Sequence, residues 1–358
     1  FIKFFIIIII FEIYLIYNNS FLKEKRTQKR IDIKQTLFKS RTGKEYDIRT
    51  RYEVYSDLKK NNPNIQVSFH TRKMLTEKKS IFPFAGISNS KTIFCNENGY
   101  YSIYESDRYG FNNPDKEWDQ KNFEFLLVGD SHTHGACVNR PDDIASILRT
   151  LTNKSALNLG YSGWGPLIKY AILREYLIHD VNNILWIYFE GNDLNDLQNE
   201  LENDLLKKYL ENFDFSQNLK NRQKEIDNFA IETISQIEEK NINFDIIKFL
   251  KIANVRRDIT NYFVKKKKRP LPISEFRKIL LLTKKLAEKN SSNLHFVYLP
   301  EYARYKSNYD NSNYVMIKNI INDLDIPFID IHKKVFQKEE NPLNLFPFEM
   351  FGHFSEEG

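Results

Sequence analysis

The stretch "FEFLLVGDSHTHG", residues 123–135, sets a compact apolar run directly before a glycine-flanked turn that carries one Ser and two His. A short apolar run bounded by turn residues reads as a strand covered on both faces. Four more such runs follow: "SALNL" (155–159), "NILWIYF" (183–189), "NLHFVYL" (293–299) and "IPFIDI" (326–331). Between the first three lie "DDIASILRTLTN" and "PLIKYAILREYLIHD", with apolar residues three and four apart, the spacing of one helix face. This alternation predicts an α/β fold, a doubly wound parallel sheet of about five strands between helical layers.

In such a sheet, reactive groups collect where the chain leaves the carboxyl ends of the strands. Three of those turns are unusual here: "GDSHTHG" after the first strand, "NLGYSGWGP" (158–166) after the second and "EGNDLND" (190–196) after the third. A Ser opening a helix suits an alkoxide or oxyanion, because the helix presents backbone N–H groups there. Gly163 has no Cβ to block the approach of its N–H to a substrate oxygen. The Asn192 side chain offers a neutral donor. Asp130 is expected to hold the turn. A general base is still needed, and "FGHFSEEG" (351–358) offers His353 in a loop after the last strand.

A competing chemistry starts from His132 and His134 as half of a metal site. A third ligand is required, and no HExxH or DxH-type segment supplies one. No metal and no cofactor are therefore assigned. His70, His179, His295 and His332 read as ordinary surface or strand residues. Tyr161, Trp164 and "PEYARY" (300–305) stand at strand ends, where aromatics serve packing or line an acyl or sugar pocket.

"GDS", "SG", "GND" and the late "GH" together resemble, in order and type, the four sequence blocks of the SGNH hydrolase superfamily, the GDSL-type esterases and acyltransferases, over residues 123–358. The resemblance implies a flavodoxin-like three-layer α/β/α domain. It implies Ser131 as nucleophile, an oxyanion hole from the Ser131 N–H, Gly163 and Asn192, and His353 as base. It further implies a serine-dependent ester hydrolase or O-acyltransferase working through an acyl-enzyme, on a small-molecule ester or on O-acylated cell-envelope glycans. One departure stands out: the family's Asp three residues before the His is Met350 here. Glu349 is the expected substitute, and a Ser–His dyad is the other possibility. Asp330 and Asp193 are expected in local structural roles. A weak or inactive glycan-binding or scaffold protein on the same fold is the alternative reading.

The 358 residues, 41% hydrophobic, suffice for one large domain and an appendage. A net charge of +6 from 53 basic and 47 acidic residues, without basic-aromatic modules, argues against a nucleic-acid partner; "KKKKR" (265–269) reads as a solvated block. Residues 1–19 begin "FIKFFIIIII", an expected truncated membrane anchor, although Glu12 interrupts it. The basic cluster "KEKRTQKR" (23–30) points to a cytoplasmic globular part, whereas the family resemblance points to a bacterial envelope protein outside the cytoplasm. Residues 20–122 read as an extension with a helix at 52–60 and a strand at 65–69. Residues 197–268 read as a helical insertion serving structure and partly as a lid, and a closing C-terminal helix is expected beyond 358. Cys95 and Cys137 fit either a bridge or two separate thiols. Oligomeric state has no sequence signal.

Overall fold

The computed structural model describes residues 2–69, 75, 80–240, 252, 254–256, 260 and 269–358. His70 and the lysines of "KKKKR" lie outside the described residues. The chain divides into two compact units, residues 1–48 with 235–270, and residues 49–234 with 271–358.

In the first unit, the helix Ile2–Thr42 runs 41 residues. Glu12 is buried within it and accepts from the Asn254 N–H at 3.0 Å, the Asn254 side-chain amide at 2.7 Å and the Val255 N–H at 2.8 Å. Among the described residues no helix is long and apolar enough to cross a membrane. The expected anchor thus lacks support. A buried carboxylate with three N–H donors sits in the middle of the apolar run, and a highly charged helical stretch follows it.

The second unit is built on a five-stranded parallel sheet. Its strands are β4 (Phe123–Val128), β5 (Ala156–Asn158), β6 (Val181–Phe189), β7 (Asn293–Leu299) and β8 (Phe328–Asp330), in the order β5-β4-β6-β7-β8. This is the flavodoxin-like order, with the first strand of the sheet flanked by the second and third. The strand alternation decides the layers. Ile184, Trp186 and Tyr188 of β6, with Phe296 and Tyr298 of β7, face a large core under the helices Pro166–Tyr176 and Ile273–Lys289. Ile187, Val297 and Leu299, with Leu127 of β4, face a smaller one under Ile144–Thr152. Both faces are covered, which is why these strands read as unbroken apolar runs instead of alternating ones.

Residues 49–122 are part of the same unit. The helix Arg51–Lys59 is closed by a capping box, Thr50 with Glu53, and leads to a three-stranded sheet of β1 (Ile65–Val67), β2 (Lys91–Ile93) and β3 (Ile103–Glu105). Phe82, Phe84 and Phe111 enter the main core, where the Trp164 Nε1–H donates to the Phe84 carbonyl at 2.9 Å. The described part of the insertion packs into the same core. Leu206, Tyr209, Leu219, Ile226 and Ala230 are buried in that core. Buried Glu175 receives the Tyr209 hydroxyl and the N–H groups of Gln217 and Leu219, so this stretch is fixed by its own polar partners. These residues complete the helical layer.

Candidate active site

Ser131 owes its place to the turn around it. β4 ends at Val128, and at Gly129 a Cβ would fall 1.8 Å from the Thr133 Oγ1, so no other residue lets the chain turn so tightly there. Buried Asp130 takes the cap position and its carboxylate accepts the His132 N–H at 3.0 Å. The helix that starts at Ser131 ends at His134, where Gly135 turns left-handed at φ +83°. With one turn the dipole contributes little, and the local backbone N–H groups carry the positive potential. Gly160 presses on the same turn, since a Cβ there would meet Thr133 at 2.5 Å and the His134 nitrogen at 2.8 Å. It acts in packing. Gly163 is different: at φ +86° a Cβ would meet nothing within 4 Å, so its surroundings are open.

Asn192 begins the helix Asp193–Glu200, and its Nδ2 donates to Asp196 Oδ2 at 2.8 Å, which leaves a second N–H on the same nitrogen. Two buried contacts tie this helix to the one that follows Gly163. Lys169 forms an ion pair with Asp193 and donates to the Ile187 carbonyl at 3.0 Å, while Glu200 accepts the N–H groups of Gly165 at 2.6 Å and Leu167 at 2.9 Å. Burial raises both carboxylates, Asp193 to about 8 against the pull of Lys169, and Glu200 to about 8 with help from Asp196. The turn bearing Gly163 and the turn bearing Asn192 are thereby braced against each other.

His353 lies beyond β8 and reaches back to Ser131, with Nε2 at 2.8 Å from Oγ. The carboxylate on its other nitrogen belongs to neither Glu349 nor Asp330. It is Glu97, whose Oε2 is 3.2 Å from Nδ1 and 2.6 Å from the His353 backbone nitrogen. A carboxylate only accepts, so Nδ1 carries the hydrogen and Nε2 is left to accept the Ser131 hydroxyl. Burial alone would lower the His353 pKa. The Glu97 hydrogen bond and charge, with Asp130 behind them, outweigh it and raise it.

Glu349 is therefore corrected as the expected acid: one of its oxygens accepts from Asn341 at 3.4 Å. The reason is local. The short helix Pro347–Glu349 is kinked at Phe348, φ +56°, and Glu349 itself is left-handed at φ +56°. Asp330 accepts the Tyr314 hydroxyl and the Lys333 N–H, and Asp193 pairs with Lys169, so both hold local structure as expected.

The two histidines of the opening turn face different aromatic surroundings. The buried His132 ring stacks on Phe189 at 4.0 Å and lies 4.9 Å from the His353 ring. Burial lowers its pKa despite Asp130 at 3.5 Å. The His134 ring lies 4.3 Å from Phe94 and 4.6 Å from Tyr161. Among the described residues one group of side chains comes close enough to share an ion: Glu97, Cys137 and His353. The Cys137 sulfur is bonded to Cys95, so it is no thiolate ligand. Tyr161 and Trp164 are fully buried and serve packing.

Sequence reasoning missed Glu97 because the family spacing puts the acid beside the His. One signal was present: Cys95, two residues away, pairs with Cys137, six residues after Ser131.

No family model matches this sequence, and no curated protein matches it. Solved structures do match at low similarity. A G-D-S-L family protein from Desulfitobacterium hafniense DCB-2, described as lipolytic, is 13% identical, covers 66% of this chain and 93% of its own, and superposes with a TM-score of 0.36. The esterase AlinE4, of the SGNH-hydrolase family, is 11% identical over 62% of this chain and 82% of its own, with a TM-score of 0.34.

Proposed function

We propose that this protein is a serine-dependent ester hydrolase working through an acyl-enzyme on Ser131. The observation that carries the reading is the continuous hydrogen-bonded line from Ser131 Oγ to His353 Nε2 and from His353 Nδ1 to Glu97. His353 takes the hydroxyl proton as Oγ attacks the ester carbonyl carbon. The oxyanion that forms accepts from the backbone N–H of Ser131 and of Gly163 and from the second N–H of Asn192. His353 then returns the proton to the departing alcohol, leaving the acyl group on Ser131. Water, deprotonated by the same nitrogen, releases the acid. An acceptor hydroxyl in place of that water would make the protein an O-acyltransferase.

The Glu97 carboxylate faces the imidazolium of both steps and stabilises it. Its presence favours an active enzyme over the scaffold reading, which rested on Met350. For substrate we propose O-acylated glycans of a cell envelope, on the family resemblance of the four motif blocks. We place the domain outside the cytoplasm, in keeping with the Cys95–Cys137 bond, because disulfides persist in oxidising compartments.

The test is hydrolysis of p-nitrophenyl acetate and release of acetate from acetylated polysaccharide by wild type and by Ser131→Ala, each with and without a chelator. The reading expects turnover by the wild type alone, unchanged by the chelator. Equal turnover by Ser131→Ala, or its loss with the chelator, overturns it.

A further inference from the structure

Glu97 comes from a different sheet than Ser131 and His353. It sits in the β2–β3 connection, where Phe94 and Ser102 still pair across the hairpin at 2.9 Å and the Gly99 N–H closes onto the Asn96 side chain at 3.0 Å. No strand of the five-stranded sheet carries this loop, so its register against His353 must be set by something else.

The hairpin meets the nucleophile segment through a small apolar cluster, Phe94 and Tyr104 with Ala136, and through one covalent link beside it. Cys95 is bonded to Cys137, and the neighbouring Asn98 side chain donates to the Cys137 carbonyl at 2.9 Å. Farther along the hairpin, the Ile103 N–H donates to the Asn139 side chain at 2.9 Å. The Cys137 sulfur, one Glu97 oxygen and one His353 nitrogen all lie within 4.8 Å of one another. Cys137 also has φ +63°, a left-handed conformation that disfavours a non-glycine residue. The chain thus places a left-handed cysteine where its sulfur lies within 4.8 Å of the acid–base pair.

We propose that the Cys95–Cys137 disulfide positions Glu97 on His353, and that breaking it with a dithiol switches off the esterase. The proposal rests on the serine-esterase reading above. Cys137 is almost wholly buried, whereas Cys95 is only partly so, and a thiolate from solvent attacks the Cys95 sulfur. Cys137 leaves as thiolate and takes a proton; the second thiol of the reductant resolves the mixed disulfide. The products are two protein thiols and one oxidised dithiol, a two-electron exchange. Cys95 and Cys137 act through Glu97 and are positioning residues.

The experiment compares the oxidised wild type, the wild type reduced with dithiothreitol and desalted anaerobically, and Cys95→Ala/Cys137→Ala. Each is assayed with p-nitrophenyl acetate over a pH series, and thiols are counted by maleimide mass tagging. Thermal unfolding and circular dichroism report which samples are folded. The expected result is at least a tenfold loss of kcat with KM within twofold, the acid limb of kcat/KM moving to lower pH as in Glu97→Gln, and recovery on reoxidation. In a Glu97→Gln background, reduction should cost nothing further. If the double variant fails to fold, the reduced wild type carries the comparison. A fully reduced, folded protein with unchanged kcat and acid limb overturns the proposal while leaving the esterase reading intact, as does a loss that adds in full to that of Glu97→Gln. Loss of cooperative unfolding on reduction overturns it too, since the bond would then support the whole fold. Absence of Ser131-dependent hydrolysis in the oxidised protein overturns both.

Discussion

Replacing Glu97 by Gln keeps the size of the side chain and removes its charge beside His353. At the 3.2 Å between Oε2 and Nδ1, a full charge pair is worth about 5 kcal/mol at an effective dielectric of about 20 and about 1.3 kcal/mol at that of bulk water. The two side chains are 28% and 23% exposed, so the value lies between these limits, about 2 to 4 kcal/mol. The imidazolium exists in the transition state and not in the resting enzyme, so the loss falls on kcat, about 30- to 1,000-fold, with KM nearly constant. The pH dependence has a definite sign. Glu97 raises the His353 pKa, and the base must be neutral to act, so activity falls as pH drops through the raised value. Glu97→Gln lowers that pKa and carries the acid limb of kcat/KM to lower pH. The assay is steady-state hydrolysis of p-nitrophenyl acetate between about pH 4 and 9, the range that brackets an ordinary histidine. Glu349→Gln is the control, expected within about twofold of wild type because its carboxylate bonds to Asn341. A Glu97→Gln enzyme within threefold of wild type and with an unmoved acid limb would refute the assignment.

Asn192→Ala removes one oxyanion donor and should lower kcat by about 10²- to 10³-fold with little change in KM, read from the same steady-state assay. Gly160→Ala forces a methyl into Thr133 and the His134 nitrogen and should destabilise the second unit by about 1 to 3 kcal/mol in denaturant unfolding, whereas Gly163→Ala meets no atom and costs only its left-handed strain. Lys169→Met leaves Asp193 buried without its partner and should cost about 3 to 5 kcal/mol in the same measurement. Because burial, with help from Asp196, raises the folded pKa of Glu200 to about 8, the folded state holds its proton above the unfolded carboxylate range. Its linkage therefore predicts stability that declines as pH rises from about 4 toward 8, and unfolding at pH 5 and pH 8 checks the slope.

The sheet was legible because burial on both faces writes itself as apolar runs, and Phe123–Val128 and Asn293–Leu299 form over the residues expected. Ser131, Gly163, Asn192 and His353 stand at the strand ends where open parallel sheets gather such groups. What stayed hidden depends on contacts far apart in the chain. Glu97 lies 256 residues from His353, and nothing in "NENGYYSIYE" distinguishes it from a surface turn. Residues 197–234 look like an insertion because they are charged, yet their apolar residues fill the core while Glu175 satisfies the backbone beneath them. The apolar N-terminus adds a contact that the sequence did not show. Glu12 looked like a blemish in an anchor, and it is a buried hydrogen-bond acceptor.

The central claim is that Ser131 is a nucleophile activated by His353. The most direct measurement is treatment of wild type, Ser131→Ala and His353→Ala with a fluorophosphonate, followed by peptide mass spectrometry. The account predicts a single phosphonyl adduct on Ser131 in the wild type, none in Ser131→Ala, and labelling slowed by at least a hundredfold in His353→Ala, about 2.7 kcal/mol of lost activation. An adduct on another residue, or equally fast labelling of Ser131 without His353, would contradict it.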